Sequence, residues 1–91
     1  MDPAQVPGFD LVQKGIRDLE SGTETVEALL VSIGAPRLRR LGLLLPAAVI
    51  PQPEHRLYRL LAREHADSGH SRYNALLRRL VSFERALECV S

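Results

Sequence analysis

Tryptophan is absent from this chain, and two tyrosines and two phenylalanines are its only other aromatic rings apart from histidine. So few rings offer no row of platforms on which bases could stack, which argues against recognition of RNA or single strands by stacking. The core must instead come largely from Leu, Val and Ile. Cysteine is scarce as well. Cys89 stands alone, which excludes an internal disulfide framework and a thiolate metal cluster. Lysine occurs once, as Lys14, against eleven arginines. Arginine's planar fork suits bidentate contacts with carboxylate or phosphate, although a GC-rich genome would produce the same bias. No long apolar run exists either. The most apolar stretch, Leu41 to Ile50, is interrupted by Gly42 and Pro46 and is too short to span a bilayer. The opening MDPAQVPG lacks the basic segment and apolar run of a signal peptide. A cytoplasmic setting without membrane association is expected.

What remains is an ordinary mixture for a folded chain, 45% hydrophobic and 25% charged over 91 residues. That length suits a single domain, residues 1–91, with a modest core. Net charge is +1, but it is unevenly spread. Residues 1–34 carry six acids against Lys14 and Arg17, whereas residues 35–91 carry ten arginines against five acids.

Hydrophobic periodicity predicts an all-α protein. The longest pattern is Ser71 to Val90, in which Tyr73, Leu76, Leu80, Phe83, Leu87 and Val90 recur at steps of three and four and share one helical stripe. Leu77 and Val81 widen that stripe, as in a core-facing bundle helix. Arg78, Ser82, Arg85 and Cys89 form the opposite, solvent-like face. Ahead of this helix, residues 1–8 read as an extended lead-in. A first helix over Asp10–Glu20 places Phe9, Val12, Ile16 and Leu19 together, with Asp10 and Lys14 spaced as an i,i+4 pair. Gly15 beside this face weakens the helix by roughly 1 kcal/mol but allows close approach of a neighbour. Ser21-x-x-Glu24 matches a capping box, with Thr23 a competing cap, for a second helix to Ile33. That helix is apolar on more than one side and should be the most buried. Gly34 and Pro36 then read as a helix stop and the first position of a short helix, Pro36–Leu41. Residues 43–52 form a proline-rich crossover. Pro53 starts a fourth main element to about Ala66, and a short loop at 67–70 favours an antiparallel hairpin with the final helix. The expected architecture is one bundle of four main helices plus one short helix.

Candidate sites are sparse. Helix two, Gly34-Ala35-Pro36 and the following short helix have the rhythm of a DNA-reading helix-turn-helix. Against it, Arg40 stands where an apolar residue should anchor the recognition helix, and Leu30 replaces the usual small residue. A structural corner is the preferred reading. Arg56, Arg59 and Arg63 share a face with no acid at i±3 or i±4. Their expected counterparts are Glu20, Glu24 and Glu27, with a phosphate backbone or an acidic protein as the functional alternatives. His55, His65 and His70 lack the i,i+4 spacing that sets two imidazoles on one face, so no metal site is expected. No nucleophile elbow or glycine-rich phosphate loop is present, and neither an enzyme nor a cofactor is expected.

Two glutamates fall awkwardly on apolar faces. Glu64 should come level with the Tyr73 hydroxyl. Glu84 should come level with Pro53–His55, where a helix N-terminus favours an anion, so that Glu84→Gln would cost about 0.3–1 kcal/mol. The leading function is therefore a non-enzymatic protein–protein interaction module, either homodimerising or docking on a partner. The alternative is a small nucleic-acid-binding regulator using the arginine-rich residues 37–85. The candidate contacts for either are Arg37, Arg39, Arg40, Arg56, Arg59, Arg63, Arg78 and Arg79.

Overall fold

A computed structural model describes residues 5–90. Its four helices are α1 (Phe9–Glu20), α2 (Val26–Arg40), α3 (Pro53–Glu64) and α4 (Gly69–Val90), and the described residues contain no strand. The fold is all-α and ends in its longest helix, as the periodicity predicts. The centre, however, is α2. It packs against α1, α3 and, less extensively, α4, and Leu29, Leu30, Val31 and Leu38 on it are fully buried.

The expected short helix does not exist as a separate element. Gly34 and Pro36 lie inside a continuous α2. Pro36 removes one backbone hydrogen bond and crowds the preceding turn, at a cost of about 3 kcal/mol in a helix interior. Burying a leucine returns roughly 1.5–3 kcal/mol, and α2 buries Leu29, Leu30 and Leu38 together. Tertiary burial therefore overrides the local stop signal. The helix ends instead at Gly42, whose φ of 98° permits a Schellman closure: Leu43 N–H bonds the Leu38 carbonyl and Gly42 N–H that of Arg39.

The α1–α2 connection also differs from the capping-box expectation. Thr25 is the N-cap of α2, its hydroxyl accepting from Ala28 N–H at 3.1 Å. The same hydroxyl donates to the Asp18 carboxylate at 2.6 Å, so one side chain caps α2 and fastens it to α1. Ser21 instead closes α1, donating to the Asp18 carbonyl. Lys14 bonds Asp18 at 2.7 Å, with Glu27 at 3.4 Å, and does not pair with Asp10 as its spacing suggests. Gly15 performs the close approach anticipated for it. A Cβ there would strike the Glu27 carbonyl oxygen and come within 2.5 Å of Val31 Cγ2.

Of the lead-in, residues 1–4 lie outside the described residues. Residues 5–8 turn rather than extend, and Val6 enters the core. Phe9 N–H closes the turn onto the Val6 carbonyl. The crossover at 43–52 is irregular, with Leu43, Leu45 and Ile50 packed on the core and Leu44 92% exposed. Ile50 N–H donates to the buried Ser32 hydroxyl, which itself donates to the Ala28 carbonyl. α3 buries Leu57 and Leu61 against the centre. The short turn after it makes the expected α3–α4 hairpin, where Tyr58 meets Tyr73 edge-on with ring centroids 5.3 Å apart. No helix among the described residues is long and apolar enough to cross a membrane.

Candidate docking groove

The eight candidate arginines separate into different environments. Arg39 serves the fold, donating to the Pro46 carbonyl at 2.7 Å and so bracing the crossover. Arg56 reaches Glu24 at 2.9 Å, the acidic first third supplying its partner as anticipated. Glu20 and Glu27 do not join them, since Glu27 pairs with Lys14. Arg59 and Arg63 have no carboxylate within 4.0 Å among the described residues. They line a polar depression with His55 and Gln52. Arg37 bonds Glu88 at 2.8 Å and stands 3.9 Å from Glu84. Arg40, Arg78 and Arg79 are exposed, again without a described carboxylate partner. The continuity of α2 removes the turn that a helix-turn-helix requires.

Between the second half of α2 and the middle of α4 lies an open groove of about 400 Å³. Its walls are Ile33 and Pro36 from α2 and Leu77, Leu80 and Val81 from α4. Gly34 lets α4 side chains come close to α2 at the base of the groove. A Cβ on it would stand 3.0 Å from Glu84 Oε2 and 3.1 Å from Leu80 Cδ1, so the α4 side chains settle directly over the α2 backbone. Leu77 and Val81 also border the outer face of α4 beside Arg78 and Arg85. An apolar strip therefore runs between two arginine margins, with Arg37 and Arg40 on α2 and Arg78 and Arg85 on α4.

The floor of this groove carries a carboxylate. Glu84 is 5% exposed, makes no hydrogen bond within the described chain, and has its nearest cation beyond hydrogen-bond distance. No fully buried side-chain polar atom among the described residues lacks a partner, so the Glu84 oxygens are not wholly enclosed, and the residue lines the groove. Burial pushes its carboxyl pKa above the ordinary 4.5, and the charges of Arg37 and Arg40 only partly offset this. The expected seat of Glu84 at the start of α3 is wrong. α4 turns this position toward α2, and its side chain lies over Gly34 instead. The Glu64–Tyr73 pairing is likewise not formed. Glu64 is exposed and makes no such bond, while the Tyr73 ring packs on Tyr58.

His70 contacts the Tyr58 hydroxyl and the Asn74 amide. Among the described residues no three His, Cys, Asp or Glu side chains gather where a metal could be held. Sequence reasoning missed the groove because Leu77 and Val81 read as a widening of the core stripe, whereas Val81 is 37% exposed. The signal that could have found it was Glu84, a carboxylate set between apolar positions Leu77 and Leu80. The chain matches no protein-family model, no curated protein and no solved structure.

Proposed function

We propose that this protein is a non-enzymatic interaction module that docks on a partner protein through the groove between α2 and α4. The observation that carries this reading is the apolar strip between arginine margins, in which Pro36 and Val81 are exposed and Ile33 and Leu77 half-buried. Contiguous apolar surface rimmed by polar groups is what association sites present. Homodimerisation through the same strip is the less favoured form. A two-fold axis would bring Arg78 and Arg85 of both copies into one interface, and like charges there oppose association.

The test is affinity capture from a lysate with the wild-type chain and with Val81→Asp, each with and without nuclease. The expected result is a protein partner retained after nuclease treatment and lost with Val81→Asp. A partner that Val81→Asp leaves bound would overturn the assignment of the site. The nucleic-acid alternative rests on Arg59 and Arg63, which have no described carboxylate partner. Under it, capture is nuclease-sensitive, falls steeply with salt as counterions are released, and disappears when Arg56, Arg59 and Arg63 are replaced together by Gln.

A further inference from the structure

Three features of the groove specify what enters it, on the reading that the groove is the docking site. The first is charge. Arg78 and Arg85 stand on its margins with no carboxylate within 4.0 Å among the described residues, while Arg40 acts on Glu84 from beyond that distance and Arg37 is shared with Glu88 and Glu84. Arg78 and Arg85 are seven residues apart, about 10 Å along α4. A partner helix with acids two turns apart would therefore face both. The second is the apolar strip, which matches one side of an amphipathic helix.

The third is Glu84. It is an acceptor 5% exposed, lining the groove, with no hydrogen bond among the described residues and with the Arg37 guanidinium 3.9 Å away. An apolar occupant that cut it off from solvent would strand the carboxylate, which is costly. The occupant must therefore bring a donor. A lysine or arginine would have to pass Arg37 and Arg40. A neutral donor at the tip of an apolar body avoids that repulsion, and tryptophan and tyrosine combine the two properties. A second copy of this chain has no tryptophan, and its Tyr58, though 41% exposed, is held edge-on against Tyr73 and His70 in the α3–α4 hairpin and is not free to enter a groove as an anchor. A phosphate backbone would bring more negative charge against Glu84 and leave the apolar walls unused.

We propose that the groove receives an acidic amphipathic helix of a partner protein, and that a tryptophan or tyrosine of that helix donates its indole N–H or hydroxyl to Glu84. The glutamate is then a specificity determinant, discriminating against partners whose anchor is purely aliphatic or phenylalanine.

The test is selection of a displayed library of randomised 14-residue helical peptides on the full chain, with counter-selection on Val81→Asp. Enriched peptides should carry Asp or Glu on both flanks and one Trp or Tyr on the apolar face. Binding of a selected peptide carrying Trp is followed by its own fluorescence, which this tryptophan-free chain does not obscure. Replacing the peptide's anchor by Phe should weaken binding to the wild type about tenfold or more, the value of a hydrogen bond to a charged group. On Glu84→Leu, the Trp and Phe peptides should bind alike. Arg78→Glu with Arg85→Glu, both exposed, should reject acidic peptides while thermal melts by circular dichroism show an intact fold.

A lysine-rich or uncharged consensus that still requires Val81 would overturn the partner chemistry and leave the docking site standing. Equal affinity of Trp and Phe peptides for the wild type would overturn the role of Glu84 alone. No enrichment, or enrichment indifferent to Val81→Asp, would remove both the partner and the docking reading. Competition for the groove by labelled duplex DNA would assign it to nucleic acid instead.

Discussion

At the α1–α2 junction Gly15 lets two backbones touch, whereas at the α2–α4 junction Gly34 opens a space that side chains enter. The first junction is closed and internally satisfied. Asp18 receives both the Lys14 ammonium and the Thr25 hydroxyl, and these donors hold its carboxyl below the ordinary 3.8. The second junction is left open. Glu84, equally a carboxylate beside a helix crossing, receives no hydrogen bond, and burial lifts its pKa. One helix, α2, thus has a finished side and an unfinished one. Mutations on the two sides should behave differently, and the difference can be ordered by size.

The largest effect is expected at Leu80, which is buried in the α2–α4 crossing beneath the groove. Leu80→Ala should destabilise the fold by about 2–5 kcal/mol, a large part of the roughly 5–15 kcal/mol typical of a whole domain. Chemical denaturation measures it. A loss below about 1 kcal/mol would mean that the groove reaches through to this side chain and that the crossing is not core.

The two glycines separate the junctions more finely. Gly15→Ala places a methyl group against the Glu27 backbone and Val31, which cannot step aside without moving a helix. Overpacking of this kind costs about 1–3 kcal/mol, beyond the roughly 1 kcal/mol that Ala gains over Gly in a helix. At Gly34 the atoms nearest the same methyl are the ends of the Glu84 and Leu80 side chains. Gly34→Ala should therefore be nearly neutral by the same denaturation measurement. Equal losses at both positions would show that the second junction is as rigid as the first.

Next in size is Thr25→Ala. It removes the N-cap of α2 and one of the two donors to Asp18, and should cost about 0.5–2 kcal/mol. Ser21→Ala should cost less, since Ser21 does not cap α2. If the order were reversed in thermal melts, the capping box suggested by Ser21 and Glu24 would be the operative one.

The parts of this fold legible in the sequence are those set by local periodicity. The stripe through Leu80, Phe83 and Leu87 is buried as its spacing requires. Gly15 and Gly42 do what a close approach and a helix end need. The stop at Gly34 and Pro36 failed because the free energy that carries α2 through a proline comes from three neighbouring helices, none of them visible in a local window. The site was less legible still. Arg37, Arg39 and Arg56 resemble Arg40, Arg59 and Arg63 in sequence, and only the partners brought by tertiary structure separate those already engaged from those left over. Glu84 was singled out by its position, but its neighbour was misassigned. Counting residues outward from a hairpin loop gives register with α3 and says nothing about which way α4 leans toward α2.

That misassignment reverses the smallest expected effect. At a helix N-terminus, Glu84→Gln would have lost stability at neutral pH. Over Gly34, with burial dominating Arg37 and Arg40, the charged form is the disfavoured one, and the neutral isostere should raise the denaturation midpoint at pH 7. The pH dependence follows with its sign. Glu84 in the folded chain has a pKa above its ordinary 4.5, so the folded state binds the proton first and stability rises as pH falls through that window. The advantage of Glu84→Gln should therefore shrink as pH drops toward about 4.5 and stay constant below it. Asp18 acts in the opposite sense and lower down. Its folded pKa lies below the ordinary 3.8, so its contribution is present above 3.8 and is lost on further acidification. Midpoints of the wild type and Glu84→Gln measured from pH 7 to pH 3 should converge first and then fall together. Parallel curves throughout would place the Glu84 carboxylate in water, and with it would go the role proposed for Glu84 in selecting a partner.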